Sequence, residues 1–343
     1  MLRGAVLGCS ARGRRHLQAW RKVRTAAIEA VVDMDASRAA RASRDFYVPR
    51  NYADIDTLLT RERLDFVDVA VGVNGQDGLV RKCLGAGLHV LASSPLSASF
   101  DVARDLVDVA AGRKLTLMVG YRERWRAALR AFKRGLDSGA VGAPHYLHLF
   151  DRRPLARQRP ASGDRPGLDS LQHLVVLEGM LDYVDFIRHV FGEIRSVWAS
   201  TRKLNPAVKG EDFALAAMRT VGDAPVNVLL DVNWSGPLPR GANRPASGPT
   251  IRCEGSLGAL ELDPVAKVLR RRGHTGGARQ DPLPPVPDLA LEPHLELQGH
   301  FAECLESGRV PECSGADALR SLEAALAVYE SDRTGGLELI QKP

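Results

Sequence analysis

Val6-Leu7-Gly8-Cys9-Ser10-Ala11-Arg12-Gly13-Arg14-Arg15-His16 is a short apolar run that breaks into glycines and then into a helical pattern. A strand ending in a tight glycine turn that feeds a helix aims free backbone N–H groups and the positive end of the helix dipole at one point, where a pyrophosphate can sit. The stretch departs from Gly-x-Gly-x-x-Gly at its middle glycine, where Ser10 puts a hydroxymethyl group at the closest approach of phosphate to backbone. Two readings stand on these residues alone. One is a dinucleotide turn with Gly8, Ser10, Ala11, Arg12 and Gly13 around the phosphates; the other is a plain strand-to-helix connection.

Working outward, Ile28 to Val32 forms a second strand-like run ending in Asp33-Met34-Asp35. Asp33 falls about twenty residues beyond Gly13, where the fingerprint places an acid for the adenosine ribose. An anionic Asp33 accepts from a diol and repels a ribose phosphate, so NAD is expected over NADP. Either Asp33 or Asp35 could instead cap the helix Ala36 to Arg44.

The chain has 343 residues, enough for two domains, with 45% hydrophobic and 26% charged residues. This composition disfavours disordered, fibrous and membrane classes. Met1 to Gly4 runs straight into the first strand without a leader pattern, so a cytoplasmic protein is expected. The five cysteines are scattered without a Cys-x-x-Cys pair, which supports neither a disulfide framework nor a metal site. A net charge of +6 comes from dispersed arginines without interleaved aromatic residues, so no nucleic-acid partner is expected.

Apolar runs and helical runs alternate through the first part: Phe66 to Val71, a loop to Gly78, His89 to Ala92, Phe100 to Ala111, Leu115 to Val119. This alternation predicts a doubly wound parallel sheet. Ligands gather at the carboxyl ends of such strands, which groups Gly8 to Gly13, Asp33, Val71 to Gln76, Ser93 to Pro95 and Gly120 to Arg122 around one crevice. A second domain is expected from residue 121 to 343, after a first of 1–120, with the C-terminal helices able to pack back on the first. In it, Asp151 to Ser170 reads as a surface loop whose arginines could recognise an anionic substrate. Leu171 to Gly192 reads as one helix whose Glu178, Asp182 and Asp185 share a side. Five further strand-like runs between Ile194 and Leu262 predict a large, mainly antiparallel sheet. Arg270 to Pro293 reads as a Pro- and Gly-rich excursion before two closing helices.

In order and spacing these landmarks resemble the Gfo/Idh/MocA oxidoreductases. They include the Gly8 to His16 turn, Asp33, Tyr52-Ala53-Asp54, Leu64 to Ala70, Gly85 to Leu91, Met118 to Tyr121, Asp137 to Gly142, Phe191-Gly192-Glu193, Glu254 to Leu260 and Tyr329-Glu330-Ser331. The resemblance implies an N-terminal Rossmann domain and a C-terminal α/β domain with an open sheet through which homo-oligomers form. It also implies NAD chemistry on a hydroxyl or keto group of a sugar, cyclitol or related small molecule. For the cofactor it implies contacts at Gly8, Ser10, Ala11, Arg12, Gly13, Asp33, Val71, Gln76, Ser93 and Tyr121.

The chemistry departs from the family pattern at three places. Ser93-Ser94-Pro95 stands where the family has Glu-Lys-Pro, whose lysine binds the reacting hydroxyl. A serine hydrogen-bonds but cannot replace an ammonium. Gln76 stands at the family's histidine of the nicotinamide loop, and Asp182 at the catalytic histidine of the helix, one turn from Glu178. Two close carboxylates share a proton when burial or mutual repulsion raises one pKa, so Glu178 and Asp182 are the expected acid and base, with Ser94 and Gln76 orienting substrate and nicotinamide. Arg122, Arg124 and His173 are further polar candidates. The alternatives are a redox-neutral lyase or isomerase, or a non-catalytic protein, on the same scaffold.

Overall fold

The computed structural model describes residues 1–153, 170–237, 248–274 and 276–340. Of the arginines in Asp151 to Ser170 expected to recognise an anionic substrate, Arg157, Arg159 and Arg165 lie outside these residues, while Arg152 pairs with Asp231 and Arg153 with Asp151. The chain divides into two compact units.

The first unit holds Met1–Arg122 and Ala290–Arg320. Its elements are β1 (Leu2–Leu7), α1 (Ala11–Trp20), β2 (Ala26–Val32), α2 (Ala36–Phe46), β3 (Arg50–Tyr52), α3 (Ile55–Arg61), β4 (Phe66–Val69), α4 (Gln76–Gly85), β5 (His89–Ser93), α5 (Phe100–Gly112) and β6 (Leu117–Gly120). The strands form one parallel sheet in the order β3-β2-β1-β4-β5-β6. Strand order reverses between β1 and β4, so the crevice of a doubly wound fold opens beside the turn that follows β1. β4 is buried along its whole length, as expected of a strand covered on both faces. Phe66 needs the space that Gly4 leaves open, since a Cβ there would lie 2.2 Å from the ring.

A late segment completes this core. α8 (Glu292–Ser307) brings Phe301 edge-on to Phe66 at 5.6 Å and Gln298 Nε2 to Asp68 at 3.1 Å. Asp68, a charge inside β4, also accepts from Trp20 Nε1 at 2.7 Å and lies 2.9 Å from His16 Nδ1. Buried charge is tolerated where it is hydrogen-bonded in this way. The rings of His16 and His294 lie 4.7 Å apart.

The second unit carries α6 (Ala127–Asp137), β7 (Pro144–Arg152), α7 (Leu181–Phe191), β8 (Ile194–Arg202), β9 (Phe213–Thr220), β10 (Asn227–Asn233), β11 (Thr250–Gly255), β12 (Gly258–Asp263), β13 (Val268–Gly273) and β14 (Ala278–Pro282). α9 (Gly315–Thr334) begins in the first unit and ends in this one, and β15 (Glu338–Leu339) follows. The nine strands run β14-β13-β12-β11-β7-β10-β9-β8-β15. Every adjacent pair is antiparallel except β7 with β10. The expected excursion after Arg270 is corrected: β13 and β14 pair there as an antiparallel hairpin, with Val268 and Leu269 buried at its start. The expected helix from Leu171 is also corrected. Regular helix begins only at Val175, and Val176–Met180 is a single π-helical turn ahead of α7.

Candidate active site

The turn after β1 shows why two of its glycines are needed and the third is not. Gly8 has φ +96°, and a Cβ there would lie 2.8 Å from the Ala70 carbonyl. A Cβ on Gly13 would sit 1.8 Å from Gly8 O, so α1 can approach the turn only with glycine at this position. Ser10 has φ −65° and ψ −178° at the N-cap, a conformation open to any residue. No side chain caps α1 and its first turn holds no acid, so its N–H groups and dipole remain available to an anion. Arg12 donates from Nη1 to Val71 O at 3.0 Å, joining the turn to the end of β4.

Of the two acids that could cap α2, only Asp35 does so. Asp35 caps α2, accepting from Ser37 N at 2.9 Å and Arg38 N at 3.2 Å. Asp33 faces the turn instead: its Oδ2 accepts from Cys9 N at 2.8 Å, and its Oδ1 from Asp35 N at 2.9 Å and Arg38 Nη2 at 2.8 Å. Burial pushes this carboxyl up, but the Arg38 hydrogen bond and the two backbone donors outweigh it and hold the group below the usual carboxylate value. Burial pushes the Cys9 thiol up to about 12, so Cys9 packs as a neutral side chain. A glycine-bounded cradle, an open helix N-terminus and an ionised acid beside them fit a dinucleotide with two ribose hydroxyls.

Three side chains expected at the cofactor are engaged within the fold. Gln76 is fully buried, and its Nε2 donates to Ser93 O at 2.8 Å and Pro95 O at 2.6 Å, so the amide clamps this loop rather than reaching a nicotinamide. Ser93 donates from Oγ to Val69 O at 3.0 Å, leaving only its backbone for a ligand. Tyr121 is buried, with its hydroxyl donating to Ala318 O at 3.2 Å, and is a packing residue tying β6 to α9. Ser94 is half-buried on the loop that Gln76 clamps.

In the second unit, Glu178 lies in the π-helical turn and Asp182 in the first turn of α7. Asp182 and Asp185 keep their i, i+3 spacing within α7, while Glu178 lies in the π-helical turn before it. Asp185 is fully buried, accepting from Arg124 Nε at 2.5 Å, Arg124 Nη2 at 2.6 Å and Ser321 Oγ at 2.9 Å. Asp185 and Arg124 are therefore structural. Glu178 is half-buried and Asp182 is 8% exposed. His173 packs its ring on Tyr329 at 4.3 Å.

Sequence reasoning missed two features here. Glu211 accepts from Leu174 N at 2.9 Å and Val176 N at 3.1 Å, capping the helix that carries Glu178. Tyr183 donates to Asp151 Oδ2 at 2.9 Å and accepts from Arg153 Nη2 at 2.5 Å. Their residues come from distant strands and helices, so no local spacing could have shown them.

A family model described as an oxidoreductase family with an NAD-binding Rossmann fold matches residues 2–121, and one described as a GFO/IDH/MocA C-terminal domain matches 129–261. D-apiose dehydrogenase of Paraburkholderia graminis is 29% identical, over 97% of this chain and 88% of its own. The NAD(+)-dependent scyllo-inositol 2-dehydrogenase of Bacillus subtilis is 25% identical, over 97% and 95%. Among solved structures, an oxidoreductase from Agrobacterium radiobacter in complex with NAD+, L-tartaric acid and magnesium superposes with a TM-score of 0.90 at 26% identity, covering 98% of both chains.

Proposed function

The chain belongs to the Gfo/Idh/MocA family of NAD-binding oxidoreductases, and from that premise we propose that it interconverts a hydroxyl and a keto group on a sugar or cyclitol through a proton relay of its own. NAD, when bound, supplies the hydride acceptor or donor. The chain's residues supply the rest. The amides of the Gly8 to Gly13 turn hold the pyrophosphate, with Ser10, Ala11 and Arg12 beside it. Asp33 accepts from the adenosine ribose, and Val71 lines the crevice. Glu178 and Asp182 act as acid and base, and Ser94 orients the reacting hydroxyl.

The observation that supports the relay is the π-helical turn Val176–Met180, which carries Glu178 and runs directly into α7, whose first turn holds Asp182. Single π turns inside helices occur frequently at functional sites. The relatives' substrates, D-apiose and scyllo-inositol, are the first compounds to try. In this reading the protein is a cytoplasmic homo-oligomer joined through its nine-stranded sheet; among the described residues no helix is long and apolar enough to cross a membrane.

The test is an NADH titration followed by a turnover screen on sugars and cyclitols. Asp182→Asn and Glu178→Gln are each expected to lower kcat by about a hundredfold to ten-thousandfold while NADH affinity holds. Unchanged turnover in both variants would refute the relay, and absence of NADH binding would refute the function.

A further inference from the structure

The preference for NAD over NADP expected from Asp33 holds for a bare carboxylate, and in the folded chain this carboxylate is not bare. Arg38, in the first turn of α2, donates to Asp33 Oδ1 from Nε at 3.1 Å and from Nη2 at 2.8 Å. Asp35 N donates to the same oxygen at 2.9 Å, so three donors crowd Oδ1. Oδ2 accepts from Cys9 N at 2.8 Å. A carboxylate oxygen accepts about two hydrogen bonds, so with Arg38 in place Oδ2 has room for one ribose hydroxyl and Oδ1 for none.

The pairing also changes the charge that a ligand meets. Asp33 stays ionised, but the guanidinium against it cancels much of the repulsion that would reject a ribose phosphate. The side chain of Arg38 is 42% exposed against 7% for Asp33, so the cation faces a ligand more than the acid does. Two of the five guanidinium N–H groups go to Asp33. Nη1 lies 3.6 Å from Asp35 Oδ2, beyond hydrogen-bond reach, so among the described residues the other N–H groups are open. The Asp35 carboxylate is itself turned to the start of α2, where it accepts from Ser37 N and Arg38 N.

The extra phosphate of NADP hangs from the ribose 2′-oxygen, the atom whose hydroxyl meets the acid in NAD. It therefore arrives beside whatever holds that acid. Here the holder is a half-exposed arginine with open donors, and arginine binds phosphate through paired, charge-assisted hydrogen bonds. We propose that the Arg38–Asp33 pair gives this chain dual cofactor use: Asp33 Oδ2 takes a ribose hydroxyl of NAD(H), and Arg38 takes the 2′-phosphate of NADP(H) with the N–H groups that Asp33 leaves open. The inference rests on the oxidoreductase reading and adds a second cofactor to it, with Arg38 as the specificity-determining residue.

The test is separate titration of NADH and NADPH into the purified protein, followed by nicotinamide fluorescence. The two dissociation constants are expected to lie within about tenfold of each other. Arg38→Gln removes the partner of the phosphate and uncovers the charge of Asp33, two effects of one sign. The ratio of the NADPH to the NADH dissociation constant is therefore expected to rise about tenfold or more in that variant. Arg38→Lys keeps the charge without the planar fork and is expected to fall between the two. An arginine that only holds Asp33 in place would move both cofactors together and leave the ratio unchanged. That result, or NADPH binding more than about tenfold more weakly than NADH in the unaltered protein, overturns this inference alone. If neither cofactor binds, the oxidoreductase reading falls and takes this one with it.

Discussion

Gly13 and Ser10 stand three residues apart in one turn, and they answer to different constraints. A methyl group on Gly13 would lie 1.8 Å from Gly8 O, which the backbone can relieve only by moving α1 off the turn. Overpacking of this kind costs about 1–3 kcal/mol. Gly13→Ala is therefore expected to lower NADH affinity about tenfold or more, by fluorescence titration. Ser10→Gly should stay within about threefold, since serine and glycine differ little at an N-cap. The need for glycine at 8 and 13 and the placing of Asp33 beside the turn were legible in the sequence because sterics are local and spacing is fixed. The side-chain partners of Gln76 and Tyr121 were not legible, because position in a loop after a strand does not tell whether a side chain faces the crevice or the protein's own carbonyls.

The helix after the surface loop shows the same limit at the scale of an element. Its apolar and acidic residues fit a single amphipathic helix from Leu171, yet its start is set by Glu211, a cap from another part of the chain, and its first full turn is π-helical. Asp185, read as the end of a polar edge, points into the core against Arg124, with side-chain exposures of 0% and 5%. Removing one member of a buried ion pair strands the other charge at a cost of about 3–5 kcal/mol, whereas replacing both with apolar groups can be nearly neutral. Asp185→Asn should accordingly lower the urea midpoint sharply. The double variant Asp185→Leu with Arg124→Met should recover most of the loss; no recovery would mean that the pair does more than satisfy itself.

At the scale of the molecule, the first unit is assembled from two segments far apart in sequence, Met1–Arg122 and Ala290–Arg320. His294, at the start of α8, marks where they join: it is 3% exposed against His16. Burial first, and then the nearby His16 and the charges of Arg122, Arg15 and Arg12, hold it well below its ordinary value. In the unfolded chain His294 takes up a proton near pH 6.5, while the folded protein refuses it until a lower pH. The folded state is therefore penalised as pH falls below about 6.5, by up to about 1.4 kcal/mol per pH unit. His294→Gln should flatten the loss of urea stability between about pH 6.5 and 5; an unchanged slope would place the acid sensitivity elsewhere. The sequence by itself determined the parallel and antiparallel sheets, the turn after β1 and its acid, because strand periodicity, glycine sterics and fixed spacing act over a few residues. Only the tertiary structure decided which residues of α8 enter the first core, that Asp185 is structural, that β13 and β14 form a hairpin, and that Gln76 grips the Ser94 loop. Each of those depends on burial and on partners brought together from distant segments, which a linear pattern does not encode.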